Sequence, residues 1–151
     1  MPATKLKEFL DSRKIKYATI SHPPAYTAEE IAQEAHIPGK QMAKTVMVKV
    51  DGKMAMAVVP AHHKVDFFLL KQVADAEHVA LAHEREFKNR FPDCDVGAMP
   101  PFGNLYDMDV YVEEALSWDD EIGFSAGTHS EVIKLAFKDF ENLVHPKVAH
   151  F

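Results

Sequence analysis

The sequence predicts an α+β fold: a single domain over residues 1–151, with a curved, largely antiparallel mixed sheet surrounded by helices. Three observations lead there. Helix-like and strand-like stretches are interleaved without a regular βαβα alternation, which argues against a doubly wound parallel sheet. Asp51-Gly52 separates two apolar runs, a strong hairpin signal. The chain has 151 residues, 47% of them hydrophobic, enough for one core, and shows no repeat, linker or low-complexity tract.

From the N-terminus, Lys5 to Lys14 places Leu6, Phe9 and Leu10 on one face of a short amphipathic helix. Tyr17 to Ser21 alternates like a strand, and His22-Pro23-Pro24 stops it because proline removes a donor and restricts its predecessor. Thr27 is a good N-cap and Glu30 completes a capping box for a helix running to about Ala35. Lys44 to Val50 and Met54 to Pro60 form the two arms of the hairpin. Asp66 caps a helix through Val73, and Glu84 to Arg90 is another short helix. Asp93 to Asn104 is a Gly/Pro-bearing loop. Asp109 to Val112, Glu121 to Ser125 and Val132 to Phe137 are strands, and Lys138 to Val144 is a closing helical turn or two.

Charge narrows the partners. The formal net charge is −6, but residues 1–53 carry nine Lys/Arg against six Asp/Glu, while residues 54–151 carry eight against seventeen. Tracking a long duplex through many phosphates needs more positive charge, so DNA is not an expected partner. A single-stranded end could be held by a local basic edge. No apolar run reaches the roughly 18 residues of a membrane span. Met1 to Lys16 lacks the continuous apolar stretch of a signal peptide, and a cytoplasmic protein is expected. The one cysteine, Cys94, can make neither an internal disulfide nor a Cys-rich zinc site.

Most catalytic signatures are absent from the sequence: no Walker loop, no dinucleotide fingerprint, no His-Glu-x-x-His, no Gly-x-Ser-x-Gly. His62 and His63 are adjacent and point apart on an extended chain, and His78 and His83 have no ligand spacing, so no metal and no cofactor are expected. Cys94 lies between Asp93 and Asp95, carboxylates that raise a thiol pKa rather than activate it.

Three features carry chemistry. Lys44-Thr45 opens an apolar strand; it is either a solvated edge or a cation at the mouth of a cleft, facing a phosphate or carbonyl. Gly97-Ala98-Met99-Pro100-Pro101-Phe102-Gly103 is either a stiff connection or a loop that holds backbone N–H groups toward a ligand. Ser125-Ala126-Gly127-Thr128-His129-Ser130 sets a lone histidine after a strand, as a surface turn or as a polar group at a pocket rim.

In order and spacing these features resemble the YbaK/prolyl-tRNA-synthetase-associated editing family. His22-Pro23 with Tyr26-Thr27-Ala28-Glu29-Glu30-Ile31-Ala32 resembles its first segment. Lys44-Thr45 is similar to its lysine before an apolar strand, and Gly97 and Pro101 to the ends of its Gly-x-x-x-Pro element. Gly127-Thr128-His129-Ser130 resembles its Gly-x-His region, and Ile133-Lys134-Leu135 with Asp139-Phe140 and Leu143-Val144 its ending. The resemblance runs from Tyr17 to Val144 and implies a free-standing aminoacyl-tRNA deacylase. Such an enzyme hydrolyses the ester of a mischarged tRNA carrying Ala, Ser, Thr or Cys, using water and the substrate's own ribose hydroxyl.

By that resemblance Lys44 holds the acceptor end, the Gly97–Pro101 loop positions carbonyl and water, and His129 shapes the pocket. Tyr26, Met99 and Phe102 are expected as pocket walls, and Thr27, Thr45, Gly103, Gly127 and Thr128 as further substrate contacts. An aminoacyl ester is already activated, so positioning and oxyanion stabilisation can suffice without a strong nucleophile. The expected partners are the tRNA acceptor end and an aminoacyl-tRNA synthetase. The alternative is a non-catalytic module that binds an acceptor end, a nucleotide or a synthetase on the same fold.

Overall fold

The computed structural model describes residues 4–151; residues 1–3 of the expected domain lie outside the described residues. The elements run α1 (Thr4–Ser12), β1 (Tyr17–Ser21), α2 (Ala28–Glu34), β2 (Met42–Val50), β3 (Lys53–Pro60), α3 (Phe67–Val73), β4 (Val79–Leu81), α4 (Glu84–Phe87), β5 (Asp109–Glu113), β6 (Glu121–Ser125), β7 (Glu131–Ala136), α5 (Phe137–Val144) and β8 (Lys147–Ala149). Short 3-10 turns cover Lys88–Arg90, Gly103–Leu105 and Glu114–Trp118.

The predicted elements are present, and several local reasons are visible. Asp51 (φ 49°) and Gly52 (φ 82°) both adopt positive φ between β2 and β3, as a tight primed hairpin turn requires. The Asp66 carboxylate accepts the Leu69 N–H at 3.0 Å and caps α3. Thr27 caps α2 by accepting the Glu30 N–H at 3.1 Å. The capping box differs in its second half: the Thr27 hydroxyl donates to the Glu30 carboxylate at 3.0 Å. β2 starts at Met42, so Lys44 is its third residue rather than its first. Strands β4 and β8 and the 3-10 turn at Glu114–Trp118 go beyond the sequence expectation.

The sheet is mixed, with strand order β1-β7-β6-β2-β3-β5-β8 and β4 attached to β2. Antiparallel pairs join β1 to β7, β6 to β7, β2 to β3 and β2 to β4; parallel pairs join β2 to β6, β3 to β5 and β5 to β8. One face is covered by α1 and α5, whose Leu6, Leu10, Phe137 and Phe140 pack with Met47, Met56, Val58 and Phe124. The other face carries α2, through Ile31 and Ala32 against Met42 and Val132, and α3, through Leu70 against Val48 and Val59.

The arrangement at β2 decides where a site can form. Along one edge β2 pairs with β3 from Ala43 to Val50. Along the other it pairs with β6 only at Met42 and Ala43, and with β4 only from Val48. Among the described residues Lys44 to Val46 therefore have no strand neighbour on that edge, and the sheet is open there. Among the described residues no helix is long and apolar enough to cross a membrane.

Candidate functional site

A cavity of about 190 Å³ occupies this opening, lined by Tyr26, Ala28, Ile31, Ala43, Lys44, Thr45, Gly97, Met99 and Ser125. Four parts of the chain converge there: the start of α2, the unpaired stretch of β2, the loop before the Gly103–Leu105 turn, and the end of β6. Extended by one residue, the parallel register of β2 with β6 puts Lys44 opposite Ser125.

Lys44 is the charged side chain in the lining, and it is half-buried. Its ammonium has no hydrogen bond or ion pair among the described residues. The other strand lysines nearby are neutralised: Lys49 pairs with Glu86 at 2.9 Å and Lys134 with Glu121 at 3.3 Å. A cation left without a carboxylate at a cavity wall is a ready anion or carbonyl partner.

The loop is held by backbone bonds. Asp95 N–H donates to the Gly127 carbonyl (2.7 Å), Gly127 N–H to the Ala98 carbonyl (2.9 Å) and Ala98 N–H to the Asp95 carbonyl (3.0 Å). Gly97 at φ +88° and Gly127 at φ +91° take backbone angles that side chains disfavour. Among the described residues the Gly97 N–H has only the Met99 sulfur as acceptor, at 3.2 Å. A thioether is a weak acceptor, so this donor at the cavity wall is available to a stronger one.

His129 is placed from three directions. Its carbonyl accepts the Ala25 N–H at 3.0 Å, and the neighbouring Ser130 carbonyl accepts the His22 N–H at 2.9 Å, which ties the segment after β1 to the segment before β7. Its ring lies 4.9 Å from the exposed Tyr26 ring. Its Nε2 is 3.1 Å from the Val96 carbonyl oxygen. A carbonyl only accepts, so Nε2 carries the hydrogen, and in the neutral ring Nδ1 carries the lone pair. Nδ1 is buried with no partner among the described residues.

Of the residues expected from the sequence, the structure brings Tyr26, Lys44, Thr45, Gly97 and Met99 to one cavity, with His129 against Tyr26 behind its rim. Others do not reach it. Phe102 is fully buried, with Phe9, Phe124 and Phe140 around its ring at 6.5, 5.4 and 5.4 Å. It packs in the core where α1, β6 and α5 meet, and not on the cavity wall. Gly103 is a packing glycine and not a substrate contact: a Cβ there would stand 2.5 Å from the Met108 carbonyl oxygen and 2.6 Å from Val110. Pro101 is buried and outside the lining. Thr27 spends its hydroxyl on the α2 cap. Gly127 shapes the loop, and the Thr128 hydroxyl oxygen accepts the Ser130 N–H at 3.4 Å.

Ala28, Ile31, Ala43 and Ser125 were not foreseen as lining residues. Ser125 had a signal, being the last residue of a strand followed by small residues; the other three look like core positions in sequence.

Cys94 is not a nucleophile candidate, with its thiol pushed up to about 12. Burial is the main cause, and the carboxylates foreseen from the sequence, Asp93 and Asp95, add to it. Among the described residues one trio of metal-type donors, Glu113, Glu114 and His150, comes together; it shares no residue with the cavity.

Comparison with known proteins agrees with this geometry. The sequence model of the aminoacyl-tRNA editing domain matches residues 22–143. The chain is 28% identical over 112 residues to the proline–tRNA ligase of Staphylococcus epidermidis, covering 74% of this chain and 19% of that enzyme. It is 30% identical over 98 residues to the proline–tRNA ligase of Bacillus cytotoxicus, covering 65% of this chain and 17% of the ligase. The chain thus spans about a fifth of the length of these relatives.

Among solved structures, one described as a proposed trans-editing enzyme for prolyl tRNA synthetase superposes with a TM-score of 0.81 at 20% identity, covering 98% of this chain and 94% of that one. A hypothetical protein superposes with a TM-score of 0.85 at 19% identity, over 97% of both chains. These structural likenesses establish the fold. The family match covers most of the chain and all four parts of the cavity wall: this protein belongs to the aminoacyl-tRNA editing domain family.

Proposed function

We propose that this protein is a trans-acting aminoacyl-tRNA deacylase that hydrolyses the ester of a mischarged tRNA carrying a small amino acid. The observation that carries the reading is Lys44: an uncompensated cation on the wall of a small cavity. The cavity's other wall is a glycine loop with a weakly satisfied N–H.

In this reading Lys44 holds the terminal phosphate or the ester oxygen of the acceptor end. The Gly97 N–H turns from the Met99 sulfur to the carbonyl oxygen and stabilises the charge that develops as water adds. The C–O bond to the ribose then breaks, water supplies the hydroxyl of the free amino acid, and the ribose oxygen recovers a proton. An activated ester needs this positioning more than it needs a strong base. The tRNA acceptor end is the partner that fits an acidic domain with few phosphate contacts, and a synthetase partner supplies the rest of the tRNA recognition.

One observation favours a second reading, a non-catalytic acceptor-end binder: none of the lining residues is a carboxylate or a histidine that could serve as general base. Single-turnover release of amino acid from charged tRNA separates the two. Release that depends on Lys44 supports the deacylase; salt-sensitive binding with no release supports the binder.

A further inference from the structure

Strands β3, β5 and β8 run parallel to one another, so their C-terminal ends lie at one end of the sheet. The chain leaving β3 carries His63, β5 ends on Glu113 with Glu114 next, and β8 is followed by His150. In open sheets, ligands bind outside the carboxyl ends of parallel strands. One donor atom each from Glu113, Glu114 and His150 lies within 4.8 Å of the other two. None of the four residues lines the cavity beside Lys44.

These groups are unevenly satisfied. Glu113 is 2% exposed; its Oε2 accepts the Phe151 N–H at 2.6 Å and its Oε1 lies 3.1 Å from His150 Nδ1. The Glu114 carboxylate has no hydrogen bond or ion pair among the described residues. His63 Nε2 is shut off from solvent and has no hydrogen-bond partner among the described residues. It stands 3.9 Å from Glu113 Oε2, too long for a hydrogen bond whichever tautomer the ring adopts. A buried polar atom without a partner is costly, and two neighbouring carboxylates repel. A cation among these donors relieves both. Two bonds of about 2.0–2.1 Å to one ion hold their donor atoms about 3–4 Å apart. The His150–Glu113 and His63–Glu113 separations, 3.1 and 3.9 Å, both fall in that range. Two imidazoles with two carboxylates suit zinc better than magnesium or calcium, which take oxygen donors.

We propose that His63, Glu113, Glu114 and His150 bind a divalent zinc ion that pins the C-terminal strand to the sheet. On binding, the proton on His150 Nδ1 leaves to solvent and the freed lone pair turns to the ion. The ion ties β8 to β5 and to the segment between β3 and α3, where the Asp66 N–H already donates to the Phe151 carbonyl at 2.7 Å. The donors lie far apart in the chain, without the short spacing by which a metal site is legible in sequence.

The test uses the purified full chain, freed of metal with a chelator, and zinc chloride as the probe. Calorimetric titrations and thermal melts compare wild type with His150→Ala, Glu114→Gln, His63→Ala and His78→Ala, the last an exposed histidine outside the group. Wild type is expected to take up one ion per chain and to melt higher with zinc than without. His150→Ala, Glu114→Gln and His63→Ala are each expected to weaken binding by at least about tenfold, and His78→Ala to leave it unchanged. The three ligand side chains replaced are exposed or half-buried, so these variants keep the fold that Glu113→Gln would endanger. No uptake by wild type, or equal uptake by wild type and folded His150→Ala and Glu114→Gln, overturns the site. Unchanged uptake by His63→Ala alone overturns the four-donor set. None of these outcomes bears on the deacylase reading, because the site shares no residue with the cavity.

Discussion

The Nε2–H of His129 donates to the carbonyl of Val96 at 3.1 Å, which joins the turn before β7 to the loop that carries Gly97. The same ring meets Tyr26 at the cavity wall. His129 thus positions two walls of the cavity at once. His129→Ala is expected to lower kcat/KM for aminoacyl-ester hydrolysis by about ten- to a hundredfold, through misplacement of the loop. His129→Gln retains an N–H donor and should recover part of the loss. Equal loss in both variants would mean that the Val96 contact is not the relevant one.

Two glycines in one loop should respond differently. Gly97 has φ +88°, and a Cβ there would stand in ordinary contact with His129 Cε1, at 3.5 Å. Gly97→Ala costs about 1–2 kcal/mol in backbone strain and also displaces the N–H that faces the cavity, so turnover should fall further than stability. Gly103→Ala drives a methyl into the Met108 carbonyl at 2.5 Å. It should cost about 1–3 kcal/mol, with activity following the folded fraction. Thermal melts beside kcat/KM for both variants make the comparison.

Much of the fold was legible because local rules and tertiary packing agree. Asp51-Gly52 forms the turn it favours, and Thr27 and Asp66 cap the helices they precede. Val79–Leu81 and Lys147–Ala149 were not legible, since three residues carry no periodicity and exist as strands only because β2 and β5 offer them free edges. The opening beside Lys44 depends on β6 and β4 sharing one edge of β2, a long-range fact that no local pattern encodes.

Phe102 illustrates the limit. In sequence it neighbours the pocket loop; in space three phenylalanines from different elements enclose it. Phe102→Ala is expected to cost about 3–5 kcal/mol of stability, measured by urea unfolding, without changing the ratio of rates between amino acids. A changed ratio in the folded variant would return Phe102 to the pocket wall.

Glu113 makes one pH-dependent contribution to stability at the far edge of the sheet. Burial alone would raise its carboxyl, but the N–H groups of Phe151 (2.6 Å) and Ala115 and the His150 ring (3.1 Å) outweigh it and hold it below its ordinary value of 4.5. His150 is raised above 6.5, chiefly by the hydrogen bond to Glu113. A lowered carboxyl stabilises the fold above its unfolded pKa and loses that contribution as pH falls through the folded value. A raised histidine stabilises below its unfolded pKa and loses its contribution as pH rises through the folded one. Both act fully between 4.5 and 6.5. Glu113→Gln, which leaves at least one buried donor short of a charged acceptor, should cost about 1–3 kcal/mol in that window and less in acid. A difference between wild type and variant that does not shrink in acid would contradict this linkage.

In the proposed reaction an uncompensated Lys44 on the cavity wall works on the ester of charged tRNA. The direct measurement is release of labelled amino acid from tRNA charged with Ala, Ser, Thr, Cys or Pro, by wild type and by Lys44→Ala. Rapid release of a small amino acid by wild type, and a loss of at least about a hundredfold in folded Lys44→Ala, is the expected result. Undiminished release by Lys44→Ala would contradict the role given to Lys44, and tight acceptor-end binding by wild type without release of any amino acid would contradict the deacylase itself.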